Sequence, residues 1–456
     1  MYLHEIEAHV PVDAMGGSIL QQIARGIARH TSDDQIPVRV VVTESGIGMY
    51  KCEVGLFQSP GTWASLHQTS TLNFSKRLTE NSQSFNAVLL VPTGIGAEIG
   101  GHAGDATPVA TLMASICDTL ITHPNVLNGS DLIDLSSNTL YLEGSAISRL
   151  LMGSVGLQPV RSNRVLVVID SHPDEFFVDA AINAVNAARS SYGLICPMII
   201  RLDPPLEMHS RFMDSGRVAG EVKGLDRLIG VLEENRGAYD AVAVSSVISV
   251  PLSYHMDYFE GNGDMLNPWG GVEAMLTHTI STLYDVPSAH APMLENQEIA
   301  NMPTGIVDPR MAAEAISLTF MQSILKGLQK SPRIVTGPQA TWGPGVLTAS
   351  DVSCMVIPDG CLGIPTLAAL EQGIPVIAVK ENQTVIKNDL SWLPWSAGQF
   401  HLVENYWEAA GVMAALKAGI DPKAVRRPLS QVEVQTSTSE ASLISQSTNI
   451  GHNANH

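Results

Sequence analysis

The sequence contains no run of apolar residues long enough to cross a bilayer, so a membrane span is excluded as an organising feature. It also lacks a basic and apolar leader: Met1-Tyr2-Leu3-His4-Glu5-Ile6-Glu7 opens with acidic residues, and the cytosol is the expected compartment. Cysteine is scarce. Cys52, Cys117, Cys196, Cys354 and Cys361 are an odd number without CxxC spacing, which argues against a disulfide framework and against a structural zinc site. The 26 Lys and Arg are outnumbered by 45 Asp and Glu and form no cluster of the length that phosphate backbones require. Neither nucleic acid nor membrane is therefore an expected partner; the net charge of −19 serves solubility, and association of identical chains stays open.

What the chain does have is a 45% hydrophobic composition over 456 residues, enough for one large core or two smaller ones. Continuous apolar runs at Val38 to Thr43, Ala87 to Val91, Thr119 to Thr122, Arg164 to Ile169, Met198 to Arg201, Ala241 to Ser245, Cys354 to Ile357 and Pro375 to Val379 read as parallel strands covered on both faces. Helical spacing links Ile19, Ile23 and Ile27 behind the capping residue Ser18. It also links Phe177, Ala181 and Val185, and then Ile316, Phe320, Ile324 and Leu328. The expected fold class is α/β, with mostly parallel sheets flanked by helices in two Rossmann-like lobes. Three spans follow: an α/β domain over 1–154, a second over 155–425, and a disordered polar tail over 426–456.

The richest segment runs from Asn86 to Asp118, where an apolar strand enters a turn with five glycines. Glycine removes the Cβ that would block a ligand from the backbone, and packing alone does not call for the polar residues between them. Thr93, Gly94, Gly96, Glu98, Gly100 and Gly101, with Asn125 after the next strand, are candidate ligand-binding residues. The turn is neither a complete dinucleotide fingerprint nor a P-loop, so any anion would rest on backbone amides and a helix end. His102, Asp105, His123, His172 and Asp174 lie in this turn or in His-Pro segments after later strands, and are the candidate acid/base set. Their spacing matches no metal motif, so no metal ligand and no cofactor is assigned. Tyr254 to Glu273 reads as a long binding loop.

A second strand, glycine turn, helix and strand unit spans 354–379 and adds Asp359, Gly360, Gly363 and Thr366 as ligand-binding candidates. It resembles the donor-phosphate segment of nucleotide-sugar glycosyltransferases and sugar-nucleotide epimerases, although Leu367 stands where those families place a ribose-holding carboxylate. Gly360 to Pro365 also looks like the second cysteine motif of cofactor-independent amino-acid racemases, which would pair Cys361 with Cys117. As a whole, through Pro92 to Asp105, Thr122 to Asn128, Asn267 to Gly271 and Pro358 to Gly360, the chain is similar to a family of uncharacterised proteins found chiefly in cyanobacteria and photosynthetic relatives, a resemblance that implies no catalytic assignment. The resulting expectation is an enzyme acting on a small anionic metabolite, phosphorylated ones included, held between the two glycine turns. A ligand-binding protein without catalysis and a cysteine racemase are the alternatives.

Overall fold

The computed structural model describes residues 1–13, 16–61, 72–261, 265–317, 319–337, 343–434 and 436. From residue 437 onward the expected tail lies outside these residues, as do Asn262, Gly263 and Asp264 of the expected loop.

Period-two burial builds the first element. Gln35–Gly46 buries Ile36, Val38, Val40 and Val42, and Arg39 is the one buried charge among them. It pairs antiparallel with Met49–Gln58 across a two-residue turn, Ile47-Gly48, and Met49–Gln58 pairs antiparallel with Tyr2–Pro11. The hairpin of Glu207–Phe212 and Val218–Lys223 extends this meander. Through Met208 and His209 it then joins the parallel strands Ala241–Ser249, Val165–Asp170, Ile199–Leu202 and Ser288–Met293, and the short Leu362–Gly363, antiparallel to Gln35–Gly46, completes a ten-stranded mixed sheet.

The second sheet has six strands, all parallel, in the order Phe400–Val403, Val376–Val379, Val352–Pro358, Asn86–Leu89, Thr119–Thr122 and Thr139–Tyr141. The fold is thus α/β, but the expectation of mostly parallel sheets holds for this sheet alone. The larger one is mixed because hairpins with short loops close antiparallel ladders where no crossover helix intervenes. Each sheet also draws strands from both sides of the seam expected after Ser154.

Alternate residues of Val165–Asp170 feed two cores. Val165, Val167 and Ile169 join a cluster that continues into the six-stranded sheet, while Leu166 and Val168 join another packed under helices Leu225–Glu234 and Gly270–Tyr284. The helix Ile19–Ala28 is capped by Ser18, whose hydroxyl accepts the Gln21 amide at 3.1 Å, and buries Ile19, Ile23 and Ile27 as expected. Two helical expectations need correction. The last apolar helix starts only at Met321, with Phe320 left-handed at φ +51° and Ile316 68% exposed. The Tyr254–Glu273 stretch is largely helical, as Leu252–Glu260 and the start of Gly270–Tyr284.

Candidate functional site

In the six-stranded sheet the chain runs outward from Asn86–Leu89 in one direction and from Val352–Pro358 in the other. The carboxyl ends of these two neighbouring strands form a topological switch point, where open α/β sheets place their ligands. Both glycine-rich turns leave the sheet here. Pro92 and Thr93 of the first and Cys361, Gly363 and Thr366 of the second line one cavity of about 110 Å³.

Most of the first turn is committed to internal packing. The amides of Glu98, Ile99 and Gly100 are taken by Gln383 O, Asn382 Oδ1 (2.9 Å) and Asp105 Oδ1 (2.7 Å), and the Val91 amide by His123 Nε2 (3.1 Å). A Cβ on Gly94 would overlap the Val218 carbonyl oxygen, one on Gly101 the Ala97 oxygen, and one on Gly96 would lie 2.9 Å from Leu266. These glycines admit a neighbouring backbone or side chain rather than an anion. Glu98 lies outside, paired with Arg310 at 3.2 Å. Asn125 clamps the turn, donating to Val91 O (2.9 Å) and Gly100 O (2.7 Å). In the second turn a Cβ on Gly360 would lie 2.6 Å from Ile386 O, the Gly360 amide bonds Asp359 Oδ1 at 2.9 Å, and the Thr366 hydroxyl donates to Cys361 O at 2.9 Å.

The charge in the smaller cavity comes from Arg39, whose guanidinium donates to Thr93 O at 2.6 Å and approaches Gly271 O at 3.4 Å. Burial lowers its pKa to about 10, which leaves it charged at neutral pH. The helix Ile364–Gln372 begins at the same cavity with its positive end. A larger cavity of about 220 Å³ adjoins it, and Thr93, His123, Gly144, Ala274 and His278 line both.

That larger chamber is acidic. Glu143, Glu273, Glu295 and Glu314 stand in its wall with His123, His255, His278 and His290, and no lysine or arginine lines it among the described residues. Three His–Glu pairs ring it beyond hydrogen-bond reach: His255 Nε2 to Glu295 at 3.7 Å, His278 Nε2 to Glu143 at 3.9 Å and His290 Nδ1 to Glu273 at 3.8 Å. Among the described residues no three such side chains converge to hold a metal ion. Burial, then the Arg39 charge, lowers the His123 pKa to about 4 and takes His278 well below its ordinary value, so both rings are neutral. Since Nε2 of His123 accepts the Val91 amide, its proton sits on Nδ1.

The remaining sequence candidates divide into two groups. His102 Nδ1 meets the Tyr258 hydroxyl at 2.8 Å, and that hydroxyl donates to Glu314 Oε2 at 2.9 Å; Glu314 also accepts the Ala103 amide. Burial pushes Glu314 up to about 7, and burial likewise raises Asp105 to about 7. Neither His102 nor Asp105 lines either of these two cavities, but His102 reaches the chamber through Tyr258 and Glu314. His172 and Asp174 do not join the site: His172 Nε2 bonds Leu294 O at 3.1 Å, and Asp174 caps the helix Glu175–Tyr192. The two thiols of the racemase reading do not meet, because Cys117 precedes the strand Thr119–Thr122 whereas Cys361 follows the parallel strand Val352–Pro358. They lie at opposite ends of the sheet, with burial raising them to about 11 and about 12.

Sequence reasoning missed Arg39, Glu143, His255, His278, His290, Glu295 and Glu314. Two carried a signal: Arg39 interrupts an apolar alternation, and His290 sits between Ala289 and Ala291 in a buried strand.

Fold and site define a mixed α/β protein with paired cavities at the switch point of an all-parallel sheet. Residues 86–426 match the family described as Protein of unknown function (DUF3326), and the chain belongs to that family. Over 350 residues it is 34% identical to an uncharacterized lipoprotein of Synechococcus sp., covering 75% of this chain and 94% of that relative. No solved structure matches the chain.

Proposed function

We propose that the protein is an enzyme acting on a small molecule that spans both cavities, with an anionic group beside Arg39 and its reacting part in the acidic chamber. One observation carries this reading: the two turns meet in a cavity that shares five residues, His123 and His278 among them, with a chamber of titratable groups. The anion is held by Arg39 and the start of Ile364–Gln372, while the amides of Glu98, Ile99 and Gly100 in the first turn are already occupied. Neutral His123 offers Nδ1–H to charge developing on the substrate, and Glu314, titrating near 7, exchanges a proton at working pH.

Mass spectrometry of small molecules released from natively purified protein tests the reading. A carboxylate or phosphate that is lost in Arg39→Met, with folding checked by circular dichroism, is expected; a neutral ligand retained by that variant overturns it. His123→Gln keeps an acceptor for the Val91 amide, so turnover falls while binding persists. Persistence of turnover would remove His123 from the catalytic set, and a parent protein that binds its ligand without turning it over would be a binding protein. A cytosolic location belongs to the same reading. The relative's name, lipoprotein, points instead to membrane attachment, and cell fractionation decides between them; no helix among the described residues is long and apolar enough to cross a membrane.

A further inference from the structure

The acidic chamber carries information about the other end of the ligand. Glu143 is spent on capping the helix Gly144–Leu151, accepting the Ser145 amide at 2.5 Å and the Ala146 amide at 3.0 Å. Glu314 holds Ala103 and Tyr258, and Glu295 accepts the Val250 amide at 2.9 Å. Glu273 is different. It stands in the first turn of Gly270–Tyr284 with no hydrogen-bond donor among the described residues, facing His290 Nδ1 at 3.8 Å.

His290 is held from behind. Its Nε2 meets the Ser246 hydroxyl at 2.8 Å, and that hydroxyl also lies 2.9 Å from Met208 Sδ, so the ring is held in place on its far side. Nδ1 is buried and unpartnered, on a residue only 5% exposed. The Glu273 carboxylate and this unpartnered ring nitrogen thus face each other 3.8 Å apart, beyond hydrogen-bond distance. Glu273, 26% exposed in the chamber wall, lacks a donor that a guest amine supplies. His255 Nε2, on a residue 3% exposed, is likewise unpartnered and lies 3.7 Å from Glu295, whose carboxylate already accepts the Val250 amide.

Resting on the function proposed above, we infer that the ligand is zwitterionic: its anionic group lies beside Arg39, and a basic nitrogen donates to the Glu273 carboxylate, beside His290, in the chamber. A lone ion does not fit the same walls as well, because the acceptors are spread around the chamber and no three converge on one point among the described residues. An elongated molecule with donors at one end satisfies them in turn.

The test uses the full chain and three probe series of three to eight carbons, followed by calorimetry and thermal shift: ω-amino carboxylates, the same carboxylates without the amine, and the same amines without the carboxylate. The best amino carboxylate is expected to bind at least tenfold more tightly than its partner lacking nitrogen. Glu273→Gln should abolish that difference without altering binding of the simple carboxylate, and Glu273→Asp should restore part of it. If simple carboxylates bind as tightly as amino carboxylates, the zwitterion inference is overturned and the anion site stands. If only the amines bind, and lose affinity in Glu273→Gln, the chamber assignment holds while the anion site and the zwitterion fail. Binding of none of the three series overturns both.

Discussion

His123 shows how one side chain serves structure and site together. Its Nε2 accepts the Val91 amide at the point where the Asn86–Leu89 strand gives way to the first turn, while the residue lines both cavities. His123→Ala orphans a buried amide and should cost about 1–3 kcal/mol in urea unfolding, whereas His123→Gln, which keeps an acceptor, should cost under half of that. Equal losses would show that the hydrogen bond contributes little. Asp105 makes a pH-dependent contribution. Its carboxyl titrates near 7 in the folded protein, chiefly because it is buried, against 3.8 ordinarily. Between about pH 4 and 7 the folded state therefore keeps a proton that the unfolded chain has released, so stability falls as pH rises through that window and this contribution is gone above it. Asp105→Asn still accepts the Gly100 amide but cannot titrate. Its unfolding free energy should fall less steeply from pH 5 to 7, by up to about 1.4 kcal/mol per pH unit. An unchanged slope would place the titration elsewhere, on Glu314 or on Asp170, which burial also raises to about 7.

At the scale of elements, two glycines with the same left-handed conformation separate a turn built for packing from one that is merely tight. Gly94 and Gly48 both have φ +76°, yet a Cβ on Gly94 would strike the Val218 carbonyl and one on Gly48 meets nothing within 4 Å. Alanine at Gly48 should cost about 1 kcal/mol of backbone strain, and alanine at Gly94 about 2–4 kcal/mol because overpacking is added. Similar losses by chemical denaturation would mean that the Val218 strand yields easily. The comparison also explains what was legible beforehand. Apolar runs such as Ala87 to Val91 and Cys354 to Ile357 announce parallel strands because both faces are buried, and they were found. Tyr2–Pro11 was not read as a strand: its charged residues alternate with apolar ones, and its pairing with Met49–Gln58 is a tertiary choice. The glycine-rich turn was legible as a place where backbone needs room, but sequence does not distinguish a ligand from Val218 as the occupant. His255, His278 and His290 come from a helix, a second helix and a strand, and only packing gathers them around one chamber.

On the scale of the whole molecule, chain order and spatial order disagree. The six-stranded sheet takes Asn86–Leu89, Thr119–Thr122 and Thr139–Tyr141 from one part of the chain and Val352–Pro358, Val376–Val379 and Phe400–Val403 from another. The mixed sheet pairs Tyr2–Pro11 with Val218–Lys223. Neither sheet closes within 1–154 or within 155–425. A fragment ending at Ser154 would expose the edge of Asn86–Leu89 that Val352–Pro358 covers, together with apolar residues of the core shared between the sheets, such as Val88 and Leu89. Expressed alone, each fragment should therefore aggregate or remain sensitive to protease. Mixing the two during refolding should restore a protected complex, since all strands are then present. A fragment of 1–154 that unfolded cooperatively by itself would show that the meander and three parallel strands suffice as an independent domain. The same interleaving ties the site to global stability: Arg39 comes from the meander, His123 from the parallel sheet, and Glu273 from a helix under the mixed sheet. A ligand that bridges Arg39 and Glu273 should accordingly raise the midpoint of one shared unfolding transition, as mass action requires of anything that binds only the folded state. Two transitions, of which only one moved with ligand, would separate the sheets into independent units and place the ligand within one of them.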